Sequence, residues 1–207
     1  MIGSGDGLMK LVWMCMVLIA ATLLAAMGVA QAATVSVSVT DHASGAPLSK
    51  AIVAVVAGSS VLAVGRTGPD GTWNGSVADG GQAYVVVTKD LHTPTARQVT
   101  LSGSVSQGFA LDKLSAADFT RLGRIVGFVR SASGQPLGNA TLVLLRGGTP
   151  VGVTQPENAT GVYELEWYAP GTYTVLATAP GYNSATYSSK LIAAGESLWL
   201  DIALQPR

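Results

Sequence analysis

The chain has 207 residues, a formal net charge of zero and only 12% charged residues. That length allows one large domain or two small ones, and the charge balance supplies neither a basic field for nucleic acid nor an acidic tail. The single cysteine, Cys15, excludes an internal disulfide and a cysteine metal centre, and Val12-Trp13-Met14 ahead of it are too bulky for lipoprotein processing.

The first element is the apolar run from Leu11 to Met27, preceded by Lys10 and followed by Ala30-Gln31-Ala32. A charged flank, an apolar core and a small-x-small exit predict a secretory signal over residues 1–32. An uncleaved membrane anchor is the alternative: Leu11 to Ala33 is 23 residues, enough for a helix to span ~30 Å of hydrocarbon. Both readings place the remaining chain outside the cytoplasm, as a periplasmic, secreted or surface protein.

A repeat follows. "SGAPLSKAIVAVV" from Ser44 returns as "SGQPLGNATLVLL" from Ser133. Before the first copy, Val35, Val37 and Val39 alternate with Ser36, Ser38 and Thr40, a half-buried strand. Ile125, Gly127 and Val129 hold those places in the second copy. A glycine turn and a proline (Gly45 and Pro47, Gly134 and Pro136) come next. The second strands put Ala51, Val53 and Val55, or Ala140, Leu142 and Leu144, inward. Asp70-Gly71-Thr72-Trp73 then corresponds to Thr160-Gly161-Val162-Tyr163, and Phe109-Ala110-Leu111 to Ile202-Ala203-Leu204. Short alternating strands with regular turn signals predict an antiparallel β-sandwich for each copy. In the linker between them, residues 113–123, Ser115 and Asp118 resemble a capping box and predict one helical turn.

Gly127 to Leu144, Gly161 to Leu165 and Pro170 to Tyr182 carry the pattern G-x-V-x-x-x-x-G-x-P-L-x-x-A-x-V-x-L, G-x-Y-x-L and P-G-x-Y-x-V-x-A-x-x-x-G-Y. This resembles the carboxypeptidase regulatory-like family over residues 124–205. Residues 34–112 resemble a diverged sibling in which Gly81-Gln82 and Leu91-His92 replace the Pro-Gly and Gly-Tyr pairs. The resemblance implies two tandem, seven-stranded, Greek-key β-sandwiches of transthyretin-like type, all-β, after an N-terminal hydrophobic helix. It also implies a non-catalytic accessory, spacer or adhesive role, and membership of a wider group of carbohydrate-binding-like folds.

The residues themselves supply no catalytic group, cofactor site or metal site. His42 and His92 fall in loops, and with Asp41 and Asp90 they could hold a metal only if those loops converged. Glu164 and Glu166 alternate on one strand about 7 Å apart, a spacing that can mimic a glycosidase dyad but is expected of any solvent-facing strand. Asn74, Asn139 and Asn158 stand in N-x-S/T triplets, common by chance in Ser/Thr-rich sequence.

Two surface features are more informative. A bulge before Ala169-Pro170 would turn Tyr168 inward and leave Trp167 outward, and alternation from Leu198 to Leu204 puts Trp199 outward. Such tryptophans are candidate platforms for a sugar ring or a protein. The second strands are also apolar on their outer faces, at Ile52, Val56, Val143 and Leu145, so something must cover them: the linker, the sister copy or a partner chain. The resulting expectation is an exported, non-enzymatic structural and protein-interaction module at the cell envelope, an accessory subunit of a membrane or surface assembly. A carbohydrate-binding module is the alternative.

Overall fold

The computed structural model describes residues 32–207, so all but the last residue of the signal or anchor expected over residues 1–32 lies outside the described residues. Ala32 and Ala33 belong to the first strand instead, paired with Ala78 and Val77, and Ala33 is fully buried. The strand therefore begins two residues inside the 23-residue span read from hydropathy. Among the described residues no helix is long and apolar enough to cross a membrane.

The first half contains β1 (Ala32–Asp41), β2 (Ile52–Ala57), β3 (Ser60–Arg66), β4 (Thr72–Ala78), β5 (Gln82–Thr88), β6 (Thr95–Thr100) and β7 (Ser104–Leu111). They form two sheets, ordered β4-β1-β7 and β3-β2-β5-β6. The alternation seen in the sequence decides their facing: Val35, Val37 and Val39 meet Val53, Val55, Val85, Val87 and Phe109 in one core, while serines and threonines take the opposite side of β1. A helical turn, α1 (Asp118–Arg121), leads to the second half. The Asp118 carboxylate accepts both the backbone N–H and the hydroxyl of Ser115, at 2.8 and 2.6 Å. Only one direction of the expected capping box is made, because the Asp118 N–H donates to the Ser115 carbonyl oxygen rather than to its hydroxyl.

The second half repeats the plan with β8 (Gly123–Ser131), β9 (Thr141–Arg146), β10 (Thr149–Thr154), β11 (Val162–Tyr168), β12 (Gly171–Thr178), β13 (Ala185–Ile192), β14 (Ser197–Trp199) and β15 (Ile202–Leu204). Its sheets run β11-β8-β14, with β15 also on β8, and β10-β9-β12-β13. Ile125, Val129, Leu142, Leu144, Tyr163 and Val175 are among the residues of its core.

The outer sheets are not wholly antiparallel as expected. β7 pairs in parallel with β1, and β14 and β15 in parallel with β8. Seven strands that alternate in direction leave the first and last pointing the same way, so making them neighbours forces a parallel pair.

The duplicated turn has one mechanical purpose in both halves. Gly71 and Gly161 sit at φ 73° and 72°, where a side chain is strained. Each would also drive a Cβ to 2.5 Å from the carbonyl oxygen of Val39 or Val129. The Gly71 and Gly161 carbonyls accept the Val39 and Val129 N–H groups at 2.9 and 2.8 Å. The repeated Gly thus fastens the turn onto the first strand.

Candidate functional site

The four candidate interface residues meet one another inside the chain. Ile52 and Val56 of β2 and Val143 and Leu145 of β9 pack in a single buried cluster with Ala54, Val86, Val153 and Leu176. The sheets β3-β2-β5-β6 and β10-β9-β12-β13 therefore face each other, giving four β layers in succession. The Thr88 hydroxyl crosses the seam to donate to the Val153 carbonyl oxygen at 2.7 Å. Of the three covers considered from sequence, the sister copy supplies this one. A partner chain cannot reach these four residues, so their apolar outer faces no longer argue for one.

The two candidate platforms differ. At β11 the register slips between Leu165 and Tyr168, and Trp167 adopts φ 66°, which turns Tyr168 into the core as the bulge argument expects. Trp167 points outward but is covered: Phe119 of α1 lies against its ring, centroids 4.5 Å apart, and the Arg124 guanidinium sits 5.8 Å from it. Its buried Nε1 finds no acceptor among the described residues. Trp199, by contrast, is 60% exposed. It meets Phe128 of β8 edge to face at 5.6 Å and 66°, and the Arg130 guanidinium lies over the Phe128 ring, 4.3 Å from its centroid. Trp199, Phe128 and Arg130 thus form one cluster on the outer face of this sheet.

The strand bearing Trp199 breaks immediately after it. β14 leaves β8 at Trp199 and β15 rejoins it at Ile202, opposite Val129. Across the gap, the Leu200 N–H donates to the Val126 carbonyl oxygen at 2.9 Å. The Tyr163 hydroxyl donates to the Leu200 carbonyl oxygen at 2.6 Å, and the Asp201 carboxylate accepts the Phe128 N–H at 3.0 Å. Burial pushes the Tyr163 phenol well above its ordinary pKa, in keeping with its role as a donor.

The histidine loops do converge, but in pairs. His42 Nδ1 lies 2.6 Å from Asp112 Oδ1. His92 is buried, with Nε2 3.3 Å from Asp41 Oδ2 and Nδ1 2.8 Å from the Asp90 backbone oxygen. Hydrogen bonds from Ser44, with help from His92, lower the Asp41 pKa to about 2, and Asp112 raises that of His42. Among the described residues no group of three or more ligating side chains could hold a metal ion. These pairs tie together the ends of β1, β5 and β7. The sequence separations of 70 and 51 residues hid them.

Glu164 and Glu166 share Arg124, whose Nη1 lies 3.8 and 3.6 Å from them. Burial, and then the neighbouring Glu164, push Glu166 up to about 7, with Arg124 opposing. Beside them lie two cavities, one of about 50 Å³ reaching Lys89, His92 and Trp167, with room for a water or so, and a wider one of about 370 Å³ lined also by Arg66, Gln155 and Glu157. An acid whose pKa rises on folding binds its proton more tightly in the native state. Its contribution is most favourable below the ordinary value of 4.5, declines as pH rises through 4.5 to about 7, and is flat above. Glu166→Gln is therefore expected to remove that decline. Thermal melts from pH 4 to 8 should show the mutant gaining on the natural protein as pH rises; parallel curves would contradict the assignment.

The described chain is thus an all-β protein of sandwich type, in which the second half presents a single exposed aromatic. Residues 124–205 match the family model of the carboxypeptidase regulatory-like domain. Comparison with curated proteins finds no match. Among solved structures, the Bacillus anthracis TIE protein is 14% identical with a TM-score of 0.37, over 84% of this chain and 34% of that one. The minor pilin GBS52 of Streptococcus agalactiae is 11% identical with a TM-score of 0.34, over 84% of this chain and 96% of that one. A variant of the shaft pilin SpaA of Lactobacillus rhamnosus GG is 12% identical with a TM-score of 0.35, over 86% and 99%. The chain thus spans about a third of the first and nearly all of the two pilins.

Proposed function

We propose that the chain is an exported, non-catalytic structural and protein-interaction module of the cell envelope, serving as an accessory subunit of a membrane or surface assembly. Residues 34–112 and 124–205 are read as its two seven-stranded folding units, joined by residues 113–123. The observation that carries this reading is the commitment of its reactive side chains. Each histidine is engaged by an aspartate, and the paired glutamates share one arginine, so the groups that could do chemistry are used to hold turns and strands. The test is fractionation with mass measurement of the mature N-terminus. A start at Ala33 in an extracytoplasmic fraction supports export with cleavage, and an intact N-terminus in the membrane fraction supports export with an anchor. Recovery from the cytoplasm overturns the reading.

A carbohydrate-binding role is favoured by one observation, the exposed and braced ring of Trp199. A stacked aromatic face suits the apolar side of a sugar ring. Trp199→Ala is expected to abolish retention on immobilised envelope polysaccharide, whereas Trp167→Ala, under Phe119, should leave it unchanged. Absence of retention by the natural protein, or equal retention by both variants, removes this role.

A further inference from the structure

The free edges of the four sheets are guarded to different degrees. An edge exposes unpaired N–H and C=O groups, and proteins guard it with bulges, charges or proline. β3 carries an extra residue at Leu62, where the register slips. Arg97 sits on β6 and also caps β7, donating to the Gly108 carbonyl oxygen at 2.8 Å. β10 contains Pro150 and a slip, and β11 contains two glutamates and the Trp167 bulge. β13 has a slip with Lys190, and β14 and β15 are three-residue pieces. β4 reads TWNGSVA. It has no charge, no proline and no slip through seven residues paired with β1; β7 (SVSQGFAL) shares that lack but has the Gly108 carbonyl taken by Arg97, while β4 is capped only at its first residue, where Thr72 is held by Asp70 and Gly68.

We infer that β4 is a docking edge for β4 of a second copy of this chain. The strand is self-complementary about Gly75. A two-fold axis there sets Asn74 opposite Ser76 of the second copy and Trp73 opposite Val77; Thr72 stays outside the pairing, because its N–H donates to Asp70 and its carbonyl oxygen accepts the Gly68 N–H. Polar residues then meet polar or small ones on the outer face, and apolar residues meet on the inner. Such an isologous antiparallel pair needs the same patch on both copies, and here the charge pattern allows it. The outer face beside the edge carries Thr34, Ser36, Ser38, Asn74 and Ser76, with no charge to repel its own image or to attract an ionic partner. Trp73 closes the flank between β3 and β4 against Gly65 and Gly75, so the core is sealed beside the part of the edge that pairs. The product is a six-stranded sheet, β7-β1-β4 followed by its mirror order in the second copy.

The experiment uses the full chain. Sedimentation analysis should show a reversible dimer, and Asn74→Lys with Ser76→Lys, which sets lysine against lysine in this register, should raise its dissociation constant about tenfold or more. The same pair of lysines at Ser104 and Ser106 on β7 should leave it unchanged, and circular dichroism should confirm that both variants fold. Separately, Asn74→Cys with Ser76→Cys should oxidise to a covalent dimer in which mapped peptides join position 74 to position 76 of the other copy. A chain that stays monomeric at about 100 µM, a dimer indifferent to the β4 lysines, or disulfides from position 74 or 76 to another segment of the same chain would each overturn the inference.

Discussion

Gly127→Ala is expected to cost about 3 kcal/mol, against the few tenths usual for surface changes. A methyl group at position 127 would run into the Leu200 carbonyl oxygen and the Asp201 nitrogen. Forcing extra volume into a well-packed site costs roughly 1–3 kcal/mol by itself. Here the obstacle is backbone that cannot retreat freely. Leu200 is tied to Val126 through its N–H and to Tyr163 through its carbonyl, and Asp201 holds the Phe128 N–H. Displacing that segment breaks at least one of these hydrogen bonds, worth about 1 kcal/mol more. For a chain of this size the melting temperature should fall by about 10 °C. Tyr163→Phe releases the Leu200 carbonyl, so the double mutant should be less destabilised than the sum of the two singles. Thermal denaturation of the four proteins checks both statements; a Gly127→Ala protein within about 0.5 kcal/mol of the natural one would remove the strand break as the reason for this glycine.

The same position marks a difference between the two halves. Val37 stands where the second half has Gly127, and it pairs with Trp73 where Gly127 pairs with Tyr163. In the first half β7 runs unbroken along β1 from Ser104 to Leu111, with Gln107 beside Val37. No connection crosses over Val37, so a side chain fits. Glycine and tyrosine therefore go with the broken last strand, valine and tryptophan with the continuous one.

Strand facing was legible because one property, alternation, is local. Val35, Val37 and Val39, the inward Tyr168 and the outward Trp199 all follow from period two and one bulge signal. Direction in the outer sheets was open to a parity argument over seven strands, which local reading did not make. The seam was half legible: apolar outer faces on β2 and β9 demanded a cover, but nothing in either strand names the other as that cover. Glu166 was illegible for a related reason. Its raised pKa depends on burial beside a cavity that also includes Asp90 and His92 from the other half, residues more than seventy positions away. Pairings made across such distances leave no periodic trace.

The seam carries the second large expectation. Val143 and Ala54 are fully buried on opposite sides of it, so Val143→Asp or Ala54→Asp places an unpaired carboxylate between two apolar sheets. Each is expected to cost at least about 3 kcal/mol, whereas Val126→Asp on the half-exposed outer face of β8 should cost under about 1 kcal/mol. The discriminating measurement is calorimetry on the single and double mutants. Each half has its own core, so opening the seam should leave both folded and split one cooperative transition into two. Once one aspartate has opened the seam, the second has little left to disrupt, and the double mutant should resemble the worse single. Strict additivity would mean that each aspartate injures only its own sheet. The apolar outer faces of β2 and β9 would then be coincident surfaces, not the joint that makes four layers melt as one.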